Sequence, residues 1–254
     1  MFLKNLSLKI KFYSRDFRYS NYIKLKSIRK KNLVDIEQFN KNFLNRDNEL
    51  TEIMKKHSSD KGNLYRNHNY TDFYHFLFKD IRRKNLNIFE VGLGSINPDI
   101  PYNMAPINNY SPLSSLRGWR DYFSNSFIYG ADIDESILKN EERIKTFFVD
   151  MFKKESILSM WRKIGKKMDI IIDDGFHSFE ANTIFFENSV EFLDHNGIYI
   201  IEDIDRIPRK VNKFFKYFNR KNFEWQFIDI KHSINIKDNC LILIKKRHNS
   251  DTIV

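Results

Sequence analysis

A single cysteine, Cys240, leaves the chain without an internal disulfide and without a cysteine-rich zinc site. No apolar run approaches the roughly 20 residues that span a bilayer. Lysines interrupt the opening MFLKNLSLKIKFYSR too often for a signal peptide. These absences predict a soluble protein of a reducing cytoplasm. Internal repeats and low-complexity linkers are also missing, so 254 residues read as one domain with a small appendage. Proline is scarce, and four of the five prolines fall in one stretch, Ile96–Ser115. A loop that long inside a domain is usually functional or disordered.

The net charge of +10 raises nucleic acid or acidic membranes as partners. Residues 1–50 hold twelve Lys and Arg against five Asp and Glu, so +7 of that charge lies in the N-terminal fifth. The run Arg29-Lys30-Lys31 is short enough to be a solvated helix face. Leu33–Lys56 has interrupted helical spacing, with Ile36, Phe39, Phe43, Leu50 and Ile53 on one side. Residues 1–56 therefore read as a basic helical N-terminal cap and 57–254 as the main domain.

What is present is organised around Met168–Ile204. The runs Asp169–Ile172 and Ile198–Ile201 suit strands buried on both faces of a parallel sheet. Between them Phe179, Thr183, Phe186, Val190 and Leu193 recur at helical spacing, and His195-Asn196-Gly197 reads as the helix end. A βαβ unit delivers the carboxyl ends of both strands to one sheet edge, where ligands of open α/β sheets bind. Asp173, Asp174 and His177 follow one strand there, and Glu202, Asp203 and Asp205 follow the other. So many carboxylates repel one another unless a cation or protons neutralise them.

Further strands end in the same way. Asn87–Val91 enters the glycine turn Gly92-Leu93-Gly94-Ser95, which lacks the third glycine of a dinucleotide fingerprint. Phe127–Asp134 and Thr146–Asp150 also finish in acid, and a carboxylate after the second strand suits ribose hydroxyls. The polar turn His57–Gly62 precedes a helix running to about Lys84, and Ser115–Phe123 and Val211–Phe218 read as helices. Phe223–Ile230 and Asn239–Lys245 read as a terminal hairpin, followed by a tail from Lys246.

Six of these stretches, in order and in register over residues 57–205, resemble S-adenosylmethionine-dependent sugar O-methyltransferases of the macrocin and mycinamicin type. They are Ser59-Asp60-Lys61-Gly62, Phe89-Glu90-Val91-Gly92, Ser115–Phe123, Gly130-Ala131-Asp132-Ile133-Asp134, Asp173-Asp174-Gly175-Phe176-His177 and Ile201-Glu202-Asp203. The resemblance implies a class I methyltransferase fold: α/β, Rossmann-like, with a seven-stranded, mostly parallel sheet and helices on both faces. It implies S-adenosylmethionine as cofactor, with Glu90, Gly92 and Gly94 at its methionine end, Asp132 at its ribose and Asp150 at its adenine. Ser59, Lys61 and Asp173 join that cofactor set. It further implies Mg2+ or another divalent metal on Asp174, Glu202 and Asp203, with His177 and Asp174 as the catalytic pair and His177, or a carboxylate, as the candidate general base. Phe176 stands where relatives carry a small residue, and the Ile96–Ser114 insertion is placed to contact the acceptor.

The chemistry is consistent with that implication. Magnesium takes hard oxygen ligands and keeps water positions that a sugar hydroxyl can replace. The expected function is metal-assisted methylation of a sugar hydroxyl, on an acceptor that is nucleotide-linked or destined for a surface polysaccharide. A homo-oligomer remains open, and nucleic acid is the less favoured partner. The alternatives are a nucleic-acid methyltransferase using the basic N-terminus, which lacks an Asn-Pro-Pro-Tyr sequence, and a non-catalytic nucleotide-binding scaffold.

Overall fold

The computed structural model describes residues 18–23, 33–35, 48–62, 68–107, 110–230, 235 and 237–247. Its strands are β1 (Leu33–Asp35), β2 (Asn87–Val91), β3 (Phe127–Asp132), β4 (Ile144–Phe148), β5 (Met168–Asp173), β6 (Leu193–Ile201), β7 (Phe223–Asp229) and β8 (Cys240–Lys246). They form one eight-stranded sheet in the order β1-β7-β8-β6-β5-β2-β3-β4. Strand β8 runs antiparallel to both neighbours, and every other pairing is parallel. The expected seven strands are present with the last one reversed, and β1 adds an eighth along β7.

Period-two alternation sorts the side chains between two cores. Ile88, Ile170, Ile172, Ile198 and Ile200 belong to one, which is closed by Leu50 and Met54 of α1 (Glu49–Lys56), Tyr74 and Phe78 of α2 (Tyr70–Phe78), and Leu116 and Trp119 of α3 (Ser114–Tyr122). Phe89, Ile171, Tyr199 and Ile201 belong to the other. There they join Trp161 of α4 (Lys154–Ile164), Phe185 of α5 (Phe179–Ser189) and Phe215 of α6 (Pro208–Phe218). Tyr19, within the helical residues 18–23, lies in this second core. Continuous apolar runs on β5 and β6 thus reflect a sheet covered on both sides.

Local chemistry sets the helix ends. The side chain of Asn48 caps α1 through the Thr51 amide, and that of Ser178 caps α5 through Ala181. Pro208 opens α6, where its missing N–H costs nothing. Gly165 ends α4 with a positive φ of 65°, a conformation in which a Cβ would be strained.

Four expectations need correction. The helix expected to run to about Lys84 ends at Phe78, and turns follow it. Leu33–Asp35 is a strand, not the start of a helix, and helix begins at Glu49; Ile36, Phe39 and Phe43, like Arg29-Lys30-Lys31, lie outside the described residues. The helix through Phe179 stops at Ser189 and tightens into a 3-10 turn, Val190–Phe192. Leu193 and His195-Asn196-Gly197 then belong to β6, because Leu193 already pairs with Met168 across an irregular register. Strand β4 ends at Phe148, which leaves Val149-Asp150 in the turn beyond the sheet edge. The hairpin of β7 and β8 forms as expected, and residues 248–254 of the tail lie outside the described residues.

Candidate active site at the carboxyl edge of the sheet

Parallel pairing of β2 through β6 brings five strand ends to one edge. A cleft of about 1060 Å³, counted out to its mouth, opens there. Ser59, Lys61, Gly92, Gly94, Asp132, Asp150, Asp174, His177 and Asp203 all line it. Glu90, Asp173 and Glu202 are buried behind the lining. Asp205 turns away to an ion pair with Lys210.

On the β2–β3 side the acids are satisfied by their own turns. Asp132 accepts the Leu93 amide at 2.6 Å and the Asp134 amide at 2.9 Å. Burial raises its pKa, and those backbone hydrogen bonds offset part of the rise. Each oxygen retains a lone pair that a diol can address. Asp134 accepts the Ser95 hydroxyl, and Asp150 accepts the Phe152 amide at 3.0 Å.

Gly92, with φ of 91°, is required for a reason the sequence did not indicate. A Cβ there would lie 2.0 Å from the Asp174 carbonyl oxygen, so the glycine lets the β2 turn rest on the β5 turn. At Gly94 a Cβ would lie 2.1 Å from the Tyr110 hydroxyl, which comes from the proline-rich loop. That loop also lines the cleft with Ile100, Pro101, Tyr102 and Met104. Phe176 stands edge-on between Tyr102 and Phe152, with ring centroids 5.3 and 4.9 Å away.

On the β5–β6 side the acids are satisfied from far away in the chain. Lys61 follows α1, and its carbonyl accepts the Thr71 amide at 3.2 Å. Its ammonium donates to Asp174 Oδ2 at 2.7 Å and Glu202 Oε2 at 2.6 Å, and lies 4.0 Å from Glu90 Oε2. Burial works against that charge, but Asp174, Glu202 and Glu90 outweigh it and hold the Lys61 pKa well above its ordinary value. Glu202 Oε1 accepts the Tyr74 hydroxyl at 2.6 Å, and Asp203 Oδ1 accepts that of Tyr70 at 2.6 Å. Tyr70 and Tyr74 are four residues apart on α2, so one helix face serves two successive carboxylates. Glu90 accepts the Ser115 hydroxyl and, at 2.5 Å, the Trp119 indole N–H.

Asp173 accepts the Tyr199 hydroxyl at 3.4 Å, and burial pushes its pKa up to about 7. It sits behind the cleft rather than in it. Tyr70 and Tyr74 are residues of the edge that the sequence reading missed, and Ser115 and Trp119 lay in a stretch it singled out without giving them a role. The four-residue spacing of the tyrosines was the available signal.

His177 and Asp203 both have positive φ, 52° and 56°. Such a conformation in non-glycine residues costs energy and gathers at functional sites. His177 Nε2 lies 3.7 Å from Asp203 Oδ2, with Tyr102 edge-on to its ring at 5.2 Å. Asp174, His177 and Asp203 each offer one ligand atom, all within 4.8 Å of one another. Two carboxylates with room for water suit magnesium. Glu202, the remaining member of the expected metal set, has one oxygen on Lys61 and the other on Tyr74.

No family model matches the chain. Among curated proteins it is 28% identical over 155 residues to the 8-demethyl-8-alpha-L-rhamnosyl tetracenomycin-C 2'-O-methyltransferase of Streptomyces olivaceus, covering 61% of this chain and 37% of the relative. It is 28% identical over 157 residues to the demethylmacrocin O-methyltransferase of Streptomyces fradiae, covering 61% and 36%. The mycinamicin VI 2''-O-methyltransferase of Micromonospora griseorubida matches at 28% over 156 residues, again covering 61% and 36%. The chain thus spans a little over a third of the length of these relatives. Among solved structures, the MycE methyltransferase from the mycinamycin biosynthetic pathway, in complex with Mg and SAH, superposes with a TM-score of 0.60 at 22% identity. That match covers 82% of this chain and 57% of MycE. No helix among the described residues is long and apolar enough to cross a membrane. The chain has the class I methyltransferase fold and is similar in sequence to sugar O-methyltransferases.

Proposed function

We propose that the chain is an S-adenosylmethionine-dependent, divalent-metal-assisted O-methyltransferase that acts on a sugar hydroxyl. The observation that carries this reading is the meeting of Asp174, His177 and Asp203 in the cleft that Asp132 and the glycine turn border. The three curated relatives above are named as O-methyltransferases, the first of them on a rhamnosyl compound.

When bound, the cofactor supplies a methyl group already activated on sulfur, and the ion supplies positive charge at the acceptor oxygen. Asp132 would hold the ribose hydroxyls, and Asp150 would stand near the adenine. Asp174 and Asp203 would hold the ion. His177 would take the proton of the acceptor hydroxyl through Nε2 as that oxygen accepts the methyl group from sulfur. Alignment is the other contribution the protein makes. Tyr102, Phe176 and Phe152 line the cleft wall, so acceptor choice would reside in the proline-rich loop and the turns after β4 and β5. A nucleotide-linked sugar or a sugar of a surface polysaccharide, modified in the cytoplasm, is the acceptor class we propose; the homo-oligomer and the separate N-terminal cap stay with that proposal.

Calorimetric titration with S-adenosylhomocysteine tests the cofactor assignment. Wild type binds, and Asp132→Ala loses roughly 10- to 100-fold in affinity, as expected for charge-assisted hydrogen bonds. No binding to wild type, with or without magnesium, would sink the methyltransferase reading. Binding would justify screening sugar nucleotides for magnesium-dependent methyl transfer.

A further inference from the structure

We propose that Lys61 is a resident cation that withdraws Glu202 from metal binding and divides the acidic edge in two. One half is permanent: the Lys61 ammonium on Glu202, with Asp174 shared. The other is exchangeable: a divalent ion on Asp174 and Asp203. The inference rests on the proposed reading of the edge as a metal site.

The geometry leaves Glu202 little freedom. Its carboxylate is fully buried, with Lys61 Nζ 2.6 Å from one oxygen and Tyr74 Oη 2.6 Å from the other. A third buried carboxylate, Glu90, lies 4.0 Å from the same ammonium. Glu202 does not line the cleft, whereas Asp174 and Asp203 do. The ligand atoms that cluster within 4.8 Å belong to Asp174, His177 and Asp203. Turning Glu202 toward an ion there would strand the Lys61 charge and the Tyr74 hydroxyl in a dry interior, which is unfavourable. Magnesium is commonly held by one or two carboxylates with waters completing its shell, so Asp174 and Asp203 suffice.

The same arrangement lets the edge fold before any ion arrives. Two deeply buried acids and a partly buried one surround the Lys61 ammonium, and the Lys61 main chain is tied down where its carbonyl accepts the Thr71 amide. Lys61 is therefore a positioning residue: it sets, through Glu202 and Asp174, which carboxylates are offered to the ion.

The test measures Mn2+ affinity by electron paramagnetic resonance, and Tm with EDTA and with Mg2+, in the full chain. Wild type binds one Mn2+; Asp203→Asn loses on the order of 100-fold in affinity, whereas Glu202→Gln stays within about threefold of wild type. Lys61→Met lowers Tm in EDTA on the order of 10 °C. Because Lys61→Met frees Glu202, it binds Mn2+ more tightly than wild type and gains more Tm from Mg2+. If Lys61→Met does not fold in EDTA, the double variant Lys61→Met/Glu202→Gln carries the test. Removing both charges restores folding, with Mn2+ affinity near that of wild type. Loss of Mn2+ binding in Glu202→Gln equal to that in Asp203→Asn would overturn the inference and leave the metal reading intact. Unchanged Mn2+ affinity and Mg2+ response in Lys61→Met would also overturn it. No Mn2+ binding by wild type would overturn the metal reading, and the inference with it.

Discussion

The two halves of the acidic edge solve the same electrostatic problem by different means. Around β2 and β3, Asp132 and Asp134 are satisfied by amides and hydroxyls of neighbouring turns. Around β5 and β6, Asp174, Glu202 and Asp203 are satisfied by Lys61, Tyr70 and Tyr74, between 113 and 141 positions upstream. A carboxylate held by backbone amides is fixed whenever its turn forms. One held by imported side chains depends on a helix docking correctly. On the proposed reading, the first half would serve the cofactor and the second the ion and acceptor.

The largest effect that sharpens this comparison falls on the imported half alone. His177→Asn, which tolerates the positive φ, reduces methyl transfer by roughly 10²- to 10⁴-fold. Affinity for S-adenosylhomocysteine stays unchanged in calorimetry. A parallel loss of cofactor affinity would mean that the halves are not separable.

Gly92→Ala breaks the seam between them. Its Cβ would meet the Asp174 carbonyl at 2.0 Å, backbone against backbone. Denaturant titration should show a loss of about 4 kcal/mol or more. A loss under 1 kcal/mol would show that the β2 and β5 turns can part freely.

A smaller effect comes from Tyr74→Phe, which takes the hydroxyl from Glu202 Oε1. The buried acceptor left behind costs about 1–3 kcal/mol in stability. Cofactor affinity again should not move. Asp132 in the local half offers no such single-side-chain lever, because amides of Leu93 and Asp134 hold it.

Glu141 provides the smallest and a pH-dependent contrast, away from both halves. Hydrogen bonding to Arg117 holds its pKa below the usual carboxylate value, against a smaller opposing effect of burial. Its contribution is therefore present above its unfolded pKa and is lost as pH falls through the folded value. Glu141→Gln should cost about 0.5–1 kcal/mol at pH 7, with the difference closing in acid. A constant difference across that range would place the effect in packing instead.

The same division explains what could be read from the chain itself. Strands ending in acid are local patterns, so Asp132, Asp174, Glu202 and Asp203 could be placed at one edge before any coordinates. Burial of β5 and β6 on both faces was equally legible, since their apolar runs are uninterrupted. The partner of Glu202 was not legible, because a lysine in a polar turn looks the same whether solvated or buried 141 residues away from its acid. Strand β1 was hidden for a related reason. Three residues carry no periodicity, and their pairing comes entirely from β7, far along the chain. The start of β6 was hidden because its first residues continue the apolar spacing of α5.

The lone thiol has a practical consequence. Cys240 is wholly inaccessible on β8, and the Tyr19 hydroxyl lies 3.5 Å from its sulfur. An alkylating reagent can reach it only when that part of the molecule opens. The rate of labelling is therefore a built-in clock for the lifting of helical residues 18–23 from the sheet or the parting of β8 from its neighbours. No probe needs to be engineered, and no second cysteine confuses the signal.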